Sequence, residues 1–110
     1  MTRKLVLLSA VAALVPVIPT YAPAATAAPC PDVQVVFARG TTEPPGLGSV
    51  GRPFVEDLRA RVAPRTVEAT PVDYPASNDF AVSTPAGIDA ARSVIESTAA
   101  SCPKTKMVLG

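Results

Sequence analysis

The sequence predicts an α/β fold, a parallel sheet with flanking helices in the order β-α-β-α-β, and three observations carry that prediction. The run from Val33 to Phe37 is almost continuously apolar and rich in β-branched residues, as a strand buried on both faces requires. Two stretches with helical spacing of apolar residues alternate with two further strand-like stretches. Strands that alternate with helices in this way close into a parallel sheet through right-handed crossovers.

The first helix is expected from Arg52, with Pro53 at its first helical position, where the missing N–H costs nothing. Phe54, Val55, Leu58 and Val62 share one face, while Glu56, Asp57, Arg59 and Arg61 take the others, and the helix ends near Pro64. Arg65 to Val72 reads as a second, weaker strand with Val67, Ala69 and Val72 as its apolar positions. Tyr74 to Thr84 is polar and flanked by Pro75 and Pro85, which predicts a loop. Thr84 then caps a second helix with Pro85 at its start. Ile88, Ala91, Ile95 and Ala99 line one face of it, and Gly87 weakens its first turn slightly. Ser101-Cys102-Pro103 ends that helix, and Lys106 to Leu109 forms the third strand.

Residues 1–27 stand apart from this pattern. Arg3 and Lys4 precede an apolar run from Leu5 to Leu14 broken only by Ser9, and Ala25-Thr26-Ala27 supplies a small-residue cleavage site. These are the three parts of a cleavable secretory signal peptide, cut after Ala27, and they imply a secreted, extracellular protein. A membrane anchor is the competing reading, but Pro16, Pro19 and Pro23 break the run short of the ~20 apolar residues that a span needs. Without Arg3 and Lys4, eight of the ten basic residues face nine acidic ones, a balance near −1. No basic patch remains, which argues against nucleic acid or anionic membrane as a partner. Nothing in the sequence fixes an oligomeric state.

The chain has two cysteines, Cys30 and Cys102. In an oxidising compartment an even pair forms a disulfide, here tying the start of the mature chain to the turn before the last strand. Two free thiols are the alternative. Metal binding is disfavoured, because two distant cysteines in a chain with no histidine leave too few ligands.

Chemistry is expected in the loop that leaves the first strand, since ligands of open α/β sheets sit at the carboxyl ends of strands. That loop reads Ala38-Arg39-Gly40-Thr41-Thr42-Glu43, followed by Pro44-Pro45-Gly46-Leu47-Gly48-Ser49-Val50-Gly51. It resembles the loop after the first strand of the cutinase-like serine esterases, secreted relatives of the α/β-hydrolases. The resemblance continues through Val72-Asp73-Tyr74-Pro75-Ala76 and Lys106-Met107-Val108-Leu109-Gly110, and so covers Cys30 to Gly110. It implies hydrolysis of carboxylic esters outside the cell through an acyl-serine intermediate, on ester or lipid-like substrates, without metal or cofactor. Thr41 stands where the family places an oxyanion-hole donor, with its hydroxyl available for a further hydrogen bond. Gly40 lets the loop approach closely, and a pairing of Arg39 with Glu43 is expected to hold its shape. The Cys30–Cys102 bridge also carries over.

The family's nucleophile elbow, G-Y-S-Q-G, follows a strand like the last one here, so the nucleophile is expected just after Gly110. Residues 28–110 then read as the N-terminal part of a cutinase-like domain, which agrees with a mature length thin for a layered fold and with a sheet that ends on an apolar strand. No catalytic residue of the triad is present: the sequence has no histidine and no G-x-S-x-G. Ser49 lies in Leu47-Gly48-Ser49-Val50-Gly51, after a long loop, and is rejected as a nucleophile. Asp73 and Asp79 come too early for a triad ordered Ser, Asp, His. Gly46-Leu47-Gly48-Ser49-Val50-Gly51 also spells a dinucleotide fingerprint, but Arg39 to Pro45 separate it from the strand, where the fingerprint allows no gap. The chain by itself is therefore expected to be inactive. The alternatives are a non-catalytic, disulfide-tied secreted module and the product of a truncated or frameshifted cutinase gene.

Overall fold

The structure, a computed structural model, describes residues 10–17 and 29–110. The predicted leader and its cleavage site fall mostly outside the described residues, and residues 10–17 carry neither helix nor strand. Among the described residues, no helix is long and apolar enough to cross a membrane.

Five elements follow in the predicted order: β1 (Val33–Phe37), α1 (Gly48–Val62), β2 (Val67–Pro71), α2 (Phe80–Ser101) and β3 (Lys106–Leu109). The three strands form one parallel sheet in the order β2-β1-β3. β1 is central, pairing Val33 with Val67 on one side and with Lys106 on the other. Its alternation assigns the two faces. Val33 and Val35 face α1 and pack in one cluster with Val55, Leu58, Val67, Ala69 and Val108. Gln34 and Val36 face the opposite side, where α2 lies, and Val36 borders the α2 groove. Buried Gln34 is satisfied there by the Thr70 hydroxyl at 2.8 Å and the Val35 carbonyl at 3.2 Å. A strand covered on both sides explains why its sequence is a run and not an alternation.

Both helices begin one turn earlier than the prolines suggest. α1 starts at Gly48, so Pro53 lies inside it. Leu47 at the N-cap position offers no side-chain acceptor. The cap comes from outside the helix instead: the Glu43 carboxylate accepts the Ser49 N–H at 2.9 Å. A carboxylate there is favoured by the helix dipole as well as by the orphan donor. α2 starts at Phe80, and Pro85 is likewise internal. The Asp79 carbonyl accepts the N–H groups of Val82 and Ser83, at 3.1 and 2.8 Å, which closes the first turn ahead of the proline. Ser83 is buried, and its hydroxyl accepts the Ser77 N–H at 3.1 Å. Thr84 therefore does not cap α2. β2 is shorter than its apolar pattern, although Val72 N–H extends the ladder by one bond to the Phe37 carbonyl.

Ile88, Ala91 and Ile95 of the predicted stripe share the face of α2 beside the sheet. Ala91 and Ile95 are half-buried, but Ile88 and Ala99 are exposed. A groove of about 350 Å³, lined by Val36, Val72, Tyr74, Ile95 and Leu109 among others, lies between the helix and the sheet. Gly87 is not a weak first-turn residue. It makes room for the Tyr74 ring, which a Cβ at this position would meet at 3.0 Å.

The opposite end of the sheet is tied together. Cys30 and Cys102 form a disulfide with their Cα atoms 5.6 Å apart. Nearby, Asp32 and Thr66 exchange hydrogen bonds: Asp32 N–H donates to the Thr66 hydroxyl, and Thr66 N–H donates to the Asp32 carboxylate. Thr105 donates its hydroxyl to the Pro31 carbonyl at 2.7 Å. These links fix the entry to all three strands, at the end remote from the predicted site.

Candidate functional site

The chain returns on itself after β1. α1 and β2 lead to one side of β1, and α2 and β3 lead to the other. The point where the direction reverses lies between β1 and β3, and such switch points open a crevice outside the carboxyl ends of the strands. Here the two strand ends are joined by hydrogen bonds, from Gly110 N–H to the Val36 carbonyl and from Ala38 N–H to the Gly110 carbonyl, at 3.0 and 2.8 Å. The Gly40–Glu43 loop therefore begins beside Gly110.

Gly40, Thr41, Thr42 and Glu43 form a turn closed by the Glu43 N–H to the Gly40 carbonyl at 3.1 Å. Thr42 occupies its third position with φ 67°. That conformation suits glycine or asparagine and is costly for a β-branched residue. It persists because Thr42 N–H is fixed to the Ala76 carbonyl at 2.7 Å. Ala76, with φ 49°, is the other described non-glycine residue at positive φ. Two strained residues on different loops thus hold one another, a pattern that collects at functional sites.

Arg39 is the centre of the support. It is 7% exposed, and its guanidinium donates from Nε to the Glu43 carbonyl at 2.8 Å and from Nη2 to the Tyr74 carbonyl at 2.9 Å. It also lies 5.2 Å from the centre of the Tyr74 ring. The expected pairing of Arg39 with Glu43 exists, but it runs through the Glu43 main chain and not as an ion pair. The Glu43 carboxylate is committed elsewhere, to the Gly40 N–H at 2.7 Å and the Ser49 N–H. Hydrogen bonds from Ser49 and then Gly40, with a smaller contribution from the Arg39 charge, hold this carboxyl below the usual carboxylate range.

Following the main chain from the Arg39 carbonyl to the Thr42 N–H isolates one atom. The Arg39 carbonyl accepts the Tyr74 hydroxyl, and the Gly40 N–H is taken by Glu43. The Gly40 carbonyl accepts Glu43 N–H, the Thr41 carbonyl accepts the Thr42 hydroxyl, and Thr42 N–H reaches Ala76. Among the described residues, only the Thr41 N–H in this stretch donates to nothing, and the exposed Thr41 hydroxyl is also unengaged. The loop thus presents one free amide donor from an otherwise fully bonded frame. It can do what preorganised donors do, which is to receive negative charge without reorganising.

The remaining sequence candidates have structural roles. Ser49 is the second residue of α1, its N–H bound to Glu43. Asp73 is exposed, and Asp79 is the N-cap residue just before α2. Gly48 has φ +79°, and a Cβ there would stand 2.5 Å from Glu43 Oε2 and 3.1 Å from Arg39 Cβ. Gly51 lets α1 settle on the Phe37 ring, 2.6 Å from where its Cβ would be. Of the glycines of the apparent dinucleotide fingerprint, Gly48 serves close packing within this loop, Gly51 serves the seating of α1 on β1, and Gly46 holds φ +133° in open space. Among the described residues, no group of three or more His, Cys, Asp or Glu side chains could hold a metal ion. Sequence reasoning missed the loop after β2 as the brace. Tyr74 and Ala76 lie in a segment read as characteristic, but nothing local to that segment reveals that it contacts residues 39–42.

Comparison with known proteins identifies the family and the fold. The cutinase family model matches residues 29–110. The carboxylesterase Culp1 of Mycobacterium tuberculosis is 49% identical over 87 residues, which are 79% of this chain and 40% of that protein. Among solved structures, the catalytic core domain of acetyl xylan esterase from Trichoderma reesei superposes with a TM-score of 0.63 at 32% identity, over 74% of this chain and 42% of that one. Trichoderma reesei cutinase in complex with a C11Y4 phosphonate inhibitor superposes with a TM-score of 0.62 at 39% identity, over 74% and 38% respectively. The chain therefore spans about two fifths of the length of these relatives.

Proposed function

The chain belongs to the cutinase family, and from that premise we propose that residues 29–110 supply the oxyanion side of a carboxylic ester hydrolase acting outside the cell. The reaction is acyl transfer to a serine followed by hydrolysis. Thr41 N–H is a donor to the oxygen that becomes negative in the tetrahedral intermediate, with the Thr41 hydroxyl beside it. The second donor is the N–H following the nucleophile. A nucleophile just after Gly110 fits this reading, because Gly110 is paired with Val36 and Ala38 at the start of the Thr41 loop. Substrates are ester or lipid-like molecules. The free Thr41 amide within a saturated frame is the observation that carries this reading.

The 110 residues contain no histidine, so no imidazole within them activates a serine hydroxyl. We infer that this stretch alone does not turn over esters. Thr41→Pro tests the role of the amide. Proline suits the second position of such a turn, so the substitution deletes the N–H and the hydroxyl and keeps the turn, while Thr41→Val, which deletes the hydroxyl alone, isolates the amide by difference. In the native secreted enzyme bearing this loop, kcat for a p-nitrophenyl acyl ester should fall roughly 10²- to 10³-fold with little change in KM. An unchanged kcat would overturn the assignment of Thr41. Turnover above buffer by the isolated, oxidised 110-residue chain would overturn the inference that the triad lies outside it.

A further inference from the structure

The Arg39–Gly40 peptide plane is held at both ends by side chains. Its N–H donates to the Glu43 carboxylate, and its carbonyl accepts the Tyr74 hydroxyl. Glu43 belongs to the same loop and ties it to the first turn of α1 through the Ser49 N–H. Tyr74 belongs to another. It stands on the loop after β2, with its ring packed against Gly87 of α2 and beneath the Arg39 guanidinium. The hydroxyl therefore refers the loop to the body of the domain. We propose that Tyr74 is a positioning residue for the oxyanion donor: through the Arg39 carbonyl it sets the plane from which the Thr41 N–H is presented, one peptide further on.

The three links between the two loops differ in what they can fix. Arg39 Nη2 to the Tyr74 carbonyl holds a long side chain, whose own flexibility separates it from the main chain of residue 40. Thr42 N–H to the Ala76 carbonyl fixes the far side of Thr41. Of the three, the Tyr74 hydroxyl is the link that grips the main chain on the near side, across the peptide from the Glu43 carboxylate. Thr41 thus sits between two main-chain anchors, one from Tyr74 and one from Ala76. Without the near anchor, the Arg39–Gly40 peptide is held only at its N–H, by Glu43, and can tilt about that bond while Thr42 stays fixed, which swings the Thr41 N–H. Displacements of about 1 Å at such a donor cost on the order of 10²-fold in rate.

This inference rests on the oxyanion role given to Thr41, and the test separates the two. Tyr74→Phe keeps the ring against Gly87 and under the guanidinium, and removes only the hydroxyl. In the oxidised 110-residue chain, amide hydrogen exchange at Gly40 should accelerate at least tenfold relative to wild type. Val35 and Val36 in the central strand should exchange as before. Unchanged protection of Gly40, or equal acceleration at Gly40 and Val36, would overturn the positioning role, because the second result describes general destabilisation. In the native secreted enzyme, Tyr74→Phe should lower kcat at least tenfold and leave KM within a factor of two. If wild-type enzyme turns over esters and Tyr74→Phe leaves kcat unchanged, the proposal fails. If Thr41→Pro has no effect on kcat while exchange at Gly40 still responds to Tyr74→Phe, the oxyanion reading fails and Tyr74 remains only a loop anchor, which also overturns the proposal as stated.

Discussion

Arg39→Ala should be the most destabilising single substitution in the loop. The side chain is 7% exposed and makes two hydrogen bonds shorter than 3.0 Å to main-chain carbonyls. Its contact with the Pro75 carbonyl, at 3.5 Å, is too long to count. Hydrogen bonds from a charged donor contribute ~1.5–3 kcal/mol each, and the contact with the Tyr74 ring adds ~0.5–1 kcal/mol. Freeing the side chain returns about 2 kcal/mol of rotamer entropy, so the net loss is on the order of 3 kcal/mol. Arg39→Lys should lose about half to two thirds of that, because one ammonium cannot serve two carbonyls reached by Nε and Nη2 in different directions. The control is Arg61→Ala. Arg61 pairs with Asp57 one helical turn away, but the two side chains are 74% and 63% exposed, so the loss should stay below ~0.5 kcal/mol. Equilibrium urea unfolding of the oxidised chain, followed by far-UV circular dichroism, measures all three. An Arg39→Lys variant as stable as wild type would refute the reasoning, since the loop would then need only a charge. So would an Arg39→Ala loss no larger than that of Arg61→Ala.

Three further outcomes follow from the same contacts. Glu43 is held below its usual pKa in the folded chain, so its contribution is complete above about pH 4.5 and is lost as pH falls through the lower folded value; the urea midpoint should decline across that window, and Glu43→Gln should flatten the decline. Gly48→Ala places a side chain at φ +79° and a Cβ 2.5 Å from Glu43 Oε2, and should cost about 1–3 kcal/mol in the same unfolding assay. Replacing both Cys30 and Cys102 by serine opens a covalent loop of sequence separation 72, which should lower stability by roughly 4 kcal/mol in the chain-entropy model; a loss under 1 kcal/mol would show that the Asp32–Thr66 and Thr105–Pro31 hydrogen bonds already close that end.

The sheet was legible because its signals are local. Val33 to Phe37 announces a doubly covered strand by composition, and Lys106 to Leu109 lies where it was expected. The helix starts were misplaced for one reason in both cases. Proline marks a favourable first helical position, but it does not forbid an earlier start when other groups satisfy the first turn. For α1 that is done by Glu43, five residues before the helix, and in α2 the Asp79 carbonyl closes the first turn. A cap supplied from beyond the N-cap residue has no fixed spacing to search for. The α2 stripe marks the face on which Ile88, Ala91 and Ile95 line the groove beside the sheet, but a period of apolar residues gives a direction and not a distance. Tyr74 and Gly87 meet on the face that α2 turns to the sheet, and Ile88, the next residue, remains exposed.

The candidate site shows the same division more sharply. Arg39, Gly40, Thr41 and Glu43 were all identifiable from one contiguous stretch, yet the contacts that give them meaning come from residues 74–76, more than 30 positions away. Thr42 illustrates why. Read alone, a threonine in a polar turn is unremarkable, and its positive φ is a cost that no local feature recovers. The Ala76 carbonyl recovers it, and Ala76 is itself at positive φ. Each strained residue is intelligible only through the other, so neither could be inferred from its own neighbourhood. What the strain secures is the isolation of a single amide. Every polar main-chain group from the Arg39 carbonyl to the Thr42 N–H has a partner except the N–H of Thr41, and a relaxed turn without the Ala76 contact would leave at least the Thr42 N–H free as well. A loop with two competing donors would present charge with less direction than a loop with one.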